Sequence, residues 1–414
     1  MRLTYIEVFA GAGGLAEGLF RAGFEPVAYV EMDKYAVFTL KTRLSYYYLK
    51  SRNMLDVYSA YIKREMSREE FYKMIPASVL DTVINAEITD TSLPDIISII
   101  KNKMRLKKID RIDVLAGGPP CQAYSIVGRV RSPHKMKKDK RKYLYRLYVE
   151  LLRVFRPSVF IFENVPGLLS TENGKLWHDM QKRFREAGYV VDYKILNAHD
   201  FGVLQNRKRV VVMGWKKEMM LEYPEFTKDP YVDEFRVGDI FQDLPPLNPG
   251  EKMYAGNYAG KPSRYLKFYK IRNDDDVLTL HITRNHNDRD REIYRRVIET
   301  WFREKRRLEY DELPEELKTH KNGKVFKDRF KIVAPDLPYS QTVVAHLAKD
   351  GHYFIHPDIK QLRSISVREA ARLQSFPDNF YFEGPMTAMF RQIGNAVPPL
   401  MAEKIAWKIK EMLV

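Results

Sequence analysis

The chain has 414 residues, long enough for two domains, with 70 Lys and Arg against 54 Asp and Glu and a formal net charge of +16, a balance that fits a polyanionic partner. Its single cysteine excludes an internal disulfide and a multi-cysteine zinc site. No apolar run approaches the ~18 residues of a membrane span and Met1 leads almost directly into a strand-like pattern, so a cytoplasmic, nucleoid-associated protein without membrane contact is expected.

Residues 4–9 read as a strand, followed by the turn Ala10-Gly11-Ala12-Gly13-Gly14 and a helical pattern over 15–22 closed by Gly23. The turn fits Gly-x-Gly-x-x-Ala through Gly11, Gly13 and Ala16, which leaves a nicotinamide dehydrogenase open as one reading. A second strand, 27–30, ends at Glu31, where a carboxylate can accept both ribose hydroxyls of a nucleoside cofactor. Asp33 is expected to cap a helix that starts at Lys34. Residues 45–80 are rich in Tyr, Arg and Lys at helical spacing and read as a helical insertion, after which comes Asn85-Ala86-Glu87-Ile88-Thr89.

The apolar run 112–116 predicts a strand delivering Gly117-Gly118-Pro119-Pro120-Cys121-Gln122-Ala123-Tyr124-Ser125 to a turn. Two glycines allow close backbone approach and two prolines fix φ and remove donors, so the segment is stiff and lies at the strand end where open α/β sheets bind ligands. Arg129, Arg131, Lys135, Lys137, Lys138, Lys140, Arg141 and Lys142 come next, as a lid over phosphates or as a solvated face. A helix over 143–155 precedes a buried strand, 157–162, that ends at Glu163-Asn164-Val165. Two more strands, 190–195 and 210–213, are predicted, the second after Gln205-Asn206-Arg207-Lys208-Arg209, whose two spaced arginines would share one strand face.

From 215 to about 347 the α/β alternation fails and a second domain is expected. His281 and His286 lie there without partners at metal spacing, so no metal is expected, and basic side chains interleaved with Tyr and Trp through Trp301 suit a groove-reading surface. Residues 363–374 have the form of a helix capped at Ser366, with Glu369 completing a capping box, and stopped by residues 375–378. Gly394-Asn395-Ala396-Val397-Pro398 then leads to a final helix over 400–413.

Taken in order, these segments resemble the DNA (cytosine-5)-methyltransferase family. The resemblance implies an α/β fold: a Rossmann-like S-adenosylmethionine-dependent methyltransferase domain, residues 1–225 completed by 385–414, with a smaller irregular target recognition domain, 226–384. It further implies Cys121 as nucleophile with Glu163, Arg207 and Arg209 as the other catalytic residues. Cofactor contacts fall on Phe9, Gly11, Ala12, Gly14, Glu31, Met32, Glu87, Ile88, Pro119, Leu144, Asn395 and Ala396. Two of these depart from the family: Met32 stands where an aromatic residue is common, and Glu87 where Asp is expected, with a plain surface carboxylate as its alternative. DNA contacts fall on Gln122, Ser125, Arg129, Arg131, Lys137, Lys138 and Thr342, the last within a Thr-aliphatic pair with Val343. The implied protein is a monomeric modification enzyme acting on double-stranded DNA, possessing a cognate restriction endonuclease in its system. A tRNA methyltransferase of the same fold and a non-catalytic DNA-binding module are the alternatives; the recognition region, longer than is typical of the tRNA enzymes, favours DNA.

If the basic run meets phosphate, replacing Lys137, Lys138 and Lys140 with Ala weakens DNA binding and flattens its salt dependence by about 0.9 logarithmic units per lost contact. Titrations at several salt concentrations check this, and an unchanged slope rules phosphate contact out.

Overall fold

The computed structural model describes residues 3–120, 140–319 and 327–414. Its central sheet has seven strands in the order β3-β2-β1-β4-β5-β7-β6. These are β1 (Thr4–Val8), β2 (Glu25–Glu31), β3 (Val83–Asn85), β4 (Val114–Gly117), β5 (Val159–Asn164), β6 (Tyr189–Asn197) and β7 (Lys208–Lys216). Neighbours are parallel from β3 to β5, while β7 runs antiparallel to both β5 and β6. The expected Rossmann-like class is therefore present, with an antiparallel hairpin at one edge.

Strand periodicity sorts the core into two layers. Tyr5, Val114, Ala116, Val159, Ile161, Val211 and Met213 pack toward α1 (Gly14–Arg21), α2 (Lys34–Ser51) and the C-terminal helix. Their immediate neighbours Ile6, Val8, Leu115, Phe160, Phe162, Val210 and Val212 pack on the opposite side, against the helices between β3 and β6. Asp33 caps α2 as its side chain accepts from the backbone N–H groups of Tyr35 and Ala36. This helix continues to Ser51, so the inserted helices begin later than the 45–80 expectation: α3 (Leu55–Ile62), α4 (Arg68–Lys73) and α5 (Ala77–Leu80). Beyond β3 come α6 (Leu93–Leu106), α7 (Leu144–Phe155), α8 (Gly167–Ser170) and α9 (Lys175–Glu186).

The region after β7 contains one small hairpin, β8 (Lys252–Gly256) with β9 (Leu278–Ile282), plus α10 (Arg264–Phe268) and α11 (Asp288–Glu304). Phe235, Val237, Ile240, Leu280, Ile282 and Val367 join the same apolar cluster as α1 and α2. A separate cluster gathers Ile293, Tyr294, Val297, Ile298 and Trp301 of α11 around Tyr310, Phe330, Ile332 and Ile355. Trp301 is thus buried, its indole N–H donating to Asp336 at 2.8 Å, so it does not belong to the groove-reading surface expected for it. The reason is helical: the apolar spacing 293, 294, 297, 298, 301 fills one face of α11 and leaves its arginines outside. His281 is occupied by Ser366 and the Pro245 carbonyl, and His286 by Ser364. Among the described residues no helix is long and apolar enough to cross a membrane.

The chain returns to the sheet through α12 (Val367–Leu373), with the predicted Ser366–Glu369 capping box, then α13 (Met386–Asn395) and α14 (Pro399–Leu413). α14 lies on α1 so closely that a Cβ added to Gly18 would sit 2.3 Å from the Ala402 carbonyl carbon. That distance is far inside van der Waals contact with backbone, which cannot move aside alone. Gly18→Ala is accordingly expected to lower stability by about 1–3 kcal/mol, the range for overpacking a fitted core, despite the better helix propensity of Ala. Urea unfolding followed by circular dichroism measures it.

Candidate active site

β1 ends in a backbone reversal. Phe9, Gly11 and Gly13 all have positive φ, at 55°, 55° and 83°, and a Cβ on Gly11 would meet nothing within 4 Å, so the ground above the turn is open. Gly14 is enclosed instead: its Cβ would fall 2.1 Å from the Val397 carbonyl oxygen and 3.2 Å from Ala396 Cβ. Only glycine lets the 394–398 segment lie on the first turn, which brings Ala12, Gly14, exposed Asn395 and buried Ala396 into one neighbourhood.

Glu31 ends β2 beside this turn. Its two carboxylate oxygens accept the N–H groups of Gly11 and Asp33, each at 2.8 Å, and burial raises its pKa while these donors oppose the rise. Each oxygen retains a second lone pair for a ligand hydroxyl. Asn85, not singled out in the sequence, donates its side-chain N–H groups to the Glu31 and Met32 carbonyls at 3.0 and 3.1 Å and so fixes the strand end. Met32 is 59% exposed, Glu87 is exposed and Ile88 is buried, so this stretch presents a thioether and a carboxylate to solvent. Glu7, in the middle of β1, is a second carboxyl: burial, and secondarily Glu31, push its pKa well above the ordinary range. Half-buried Leu144 opens α7.

On the neighbouring strands, glycine again permits contact. A Cβ on Gly117 would lie 2.4 Å from the Val8 oxygen, and one on Gly118 would lie 2.9 Å from Glu163 Oε2. Asn164 donates from Nδ2 to the carbonyl of buried Pro119 at 3.0 Å and accepts the Val165 N–H at 2.9 Å. The Gly-Gly-Pro-Pro run is therefore pinned to β5 as far as Pro120. Cys121, Gln122, Ser125, Arg129, Arg131, Lys137 and Lys138 lie outside the described residues. At the far end of the basic run Lys142 is buried and paired with the exposed Glu172.

Glu163 forms an ion pair with Arg209, Oε1 to Nε at 2.8 Å, on adjacent strands. Arg207 does not join them, although its partners Val343 and Ala396 lie in the same layer as Val211 and Met213, as the expected shared face requires. Its guanidinium is buried and donates to the carbonyls of Val343, Gly394 and Ala396 at 2.7, 3.1 and 2.8 Å. Arg207 immediately precedes β7, and its carbonyl accepts the Ala198 N–H at 2.9 Å in continuation of the β6–β7 register. Thr342 is half-buried, its hydroxyl donating to the Asn206 carbonyl at 2.5 Å, and Gln205 accepts the Val343 N–H at 2.8 Å. Asn164 and Gln205 both sit in the quoted segments, but neither residue type reveals in advance which backbone group it holds.

A sequence profile described as C-5 cytosine-specific DNA methylase matches residues 3–78 and 83–411. The type II methyltransferase M.Bpa9945I of Bacillus paralicheniformis is 40% identical, over 99% of both chains. The type II methyltransferase M1.HphI of Haemophilus parahaemolyticus is 29% identical, over 100% of this chain and 88% of its own. Among solved structures, a DNA modification methyltransferase encoded within an E. coli prophage superposes with a TM-score of 0.63 at 23% identity, covering 99% of each chain. At that identity the likeness speaks for the fold.

The two arginines are expected to separate experimentally. Arg207→Met strips three buried carbonyls of their donor and should cost about 3 kcal/mol or more in urea unfolding. Arg209→Met leaves the largely buried Glu163 carboxylate without its partner and should cost about 1–3 kcal/mol, less than Arg207→Met, while abolishing any activity that depends on Glu163.

Proposed function

Since the chain belongs to the C-5 cytosine-specific DNA methylase family, we propose that it modifies cytosine at C5 within a specific duplex DNA sequence, with S-adenosylmethionine as methyl donor and a restriction endonuclease of the same specificity as its counterpart. The observation that supports the catalytic assignment most directly is the Glu163–Arg209 ion pair, one strand from the pinned segment that leads into Cys121.

The residues present fit the cofactor. Open ground above Gly11 accommodates a nucleoside, Glu31 is oriented by two backbone donors for the ribose hydroxyls, and the Gly14 contact carries Asn395 and Ala396 alongside. Phe9, Ala12, Met32, Ile88, Pro119 and Leu144 would supply apolar contact, and Glu87 is assigned to the adenine amino group. Bound there, S-adenosylmethionine supplies an electrophilic methyl group.

The target cytosine must leave the duplex, because its C5 and C6 faces are stacked within it. The Cys121 thiolate then adds to C6, and the negative charge that develops on the ring is relieved at N3 by the Glu163 carboxyl group. Arg209 holds Glu163 and faces the O2 edge. C5, made nucleophilic by this addition, takes the methyl group, after which loss of the C5 proton breaks the C6–sulfur bond and returns the thiolate. Arg207 acts one step back, by fixing the backbone on which Arg209 stands. Gln122, Ser125, Arg129, Arg131, Lys137, Lys138 and Thr342 are assigned to DNA. Residues 226–384 are assigned to target recognition, and 1–225 with 385–414 to catalysis.

Cytosine bearing fluorine at C5 tests nucleophile and substrate together, since fluorine cannot leave as a cation and the Cys121 adduct persists. A duplex carrying it at the recognised site is expected to give a denaturant-resistant complex that needs S-adenosylmethionine, maps to Cys121 and is lost in Cys121→Ala. Trapping on RNA but not on DNA would overturn the substrate assignment, and trapping on neither would overturn the enzymatic one.

A further inference from the structure

The polar contacts of residues 52–80 lie apart from the assigned site residues, yet they are directional and reach two distant parts of the chain. The Tyr58 hydroxyl of α3 donates to the Asn379 carbonyl at 2.7 Å. Tyr61, from the same helix, donates to the Glu383 carboxylate, which also accepts Thr42 of α2 at 2.7 Å. Thr39 of α2 accepts the Glu383 N–H at 2.9 Å, so this one residue is held jointly by the catalytic body and by α3. Immediately past α3, exposed Arg64 takes a positive φ of 67° and lays its guanidinium 3.5 Å from the ring centroid of Tyr254, in β8.

The segment gripped at Asn379 and Glu383 connects α12 to α13. Its other contacts run toward the hairpin: Asn379 donates to Asp276 at 3.1 Å, and Asp378 accepts Tyr258 at 2.8 Å. Residues 52–80 therefore bridge α2 on one side and the β8–β9 hairpin with its connector on the other. Apolar packing alone would tolerate sliding; hydrogen bonds to named carbonyl and carboxylate oxygens hold a position.

We propose that residues 52–80 form a strut that sets the position of the β8–β9 side of the recognition region relative to the catalytic body, with Arg64 and Tyr58 as positioning residues for engagement of specific DNA. The strut rests on the methyltransferase reading for its purpose and acts at a distance, without touching substrate.

Arg64→Ala, Arg64→Lys and Tyr58→Phe in the full chain test it. The probes are the duplex sequence that the wild-type protein enriches by binding from a random pool, and a random duplex of equal length. Arg64→Ala is expected to weaken binding of the specific duplex about two- to fivefold, the worth of one exposed cation–π contact, and to leave the random duplex unaffected. The salt dependence, S-adenosylmethionine affinity by calorimetry and kcat at saturating DNA should all stay at wild-type values. Arg64→Lys, which keeps a cation over the ring, should recover most of the loss, and Tyr58→Phe should resemble Arg64→Ala. A salt slope reduced by about 0.9 would mean that Arg64 meets a phosphate, and specific binding unchanged in both Arg64→Ala and Tyr58→Phe would mean that the contact is packing only; either overturns the strut. Wild-type protein that binds the specific duplex without methylating it would sink the catalytic reading alone, because the binding comparison still decides the strut.

Discussion

The Arg207 guanidinium is enclosed by carbonyl oxygens from Val343, Gly394 and Ala396, sequence positions far from its own. A guanidinium cannot shed its charge, so once removed from water it requires these acceptors together. Beside it Gln205 donates to the Leu373 carbonyl and to Gln374 and accepts the Val343 N–H, drawing in the end of α12. A Cβ on Gly394 would lie 2.3 Å from the Ala345 nitrogen, which shows how tightly these strands of chain are pressed together. Segments far apart in the sequence are joined here, and the knot closes only when all of them have arrived.

A second group of buried charges holds α12 in register. Arg372 pairs with Asp243 and Asp378, Arg368 binds the Thr279 carbonyl and hydroxyl, and Arg363 forms a two-point pair with Glu369. Burial alone would raise the Glu369 pKa, but Arg363, and behind it His356, hold it well below the usual carboxylate range. Such pairs add little net stability over an apolar core of equal volume, but they disfavour any displaced arrangement strongly, by stranding a charge. The displaced arrangement in question is the β8–β9 hairpin sliding along α12.

Legibility from sequence depends on the range of the interaction. The alternating strands, the Asp33 cap and the Ser366–Glu369 box rest on neighbours within a few residues, and the structure forms them where periodicity and side-chain chemistry place them. Glu163 and Arg209, by contrast, meet only through the pairing of β5 with β7, and their joint placement is available through resemblance rather than spacing. Arg207 is misread in its partners, because spacing along β7 does not reveal that its guanidinium takes backbone carbonyls from segments more than a hundred residues away. Trp301 is misread because aromatic and basic residues alternate in the sequence of α11 while the helix sorts them onto opposite faces. Asn164 and Asn85 are visible but not interpretable, since an amide that holds a backbone carbonyl looks the same in sequence as one that faces water.

The small cluster around α11 is apolar in its own right, whereas Phe235, Leu280 and Val367 belong to the core of the sheet. Residues 226–384 therefore consist of two materials with different freedom to change. Replacing the outer lobe between the start of α11 and Ile332 disturbs mainly contacts within its own cluster, with the hydrogen bond of Tyr294 to His286 lying at its root, whereas the stretch after it carries Thr342 and Val343, held by Asn206 and Arg207. Exchanging the whole stretch would instead take Val343 from Arg207 and Asn379 from Arg43 and leave buried guanidinium groups short of acceptors. Chimaeras between relatives should accordingly be joined at the edges of the α11 lobe, and natural divergence among them should concentrate there for the same reason.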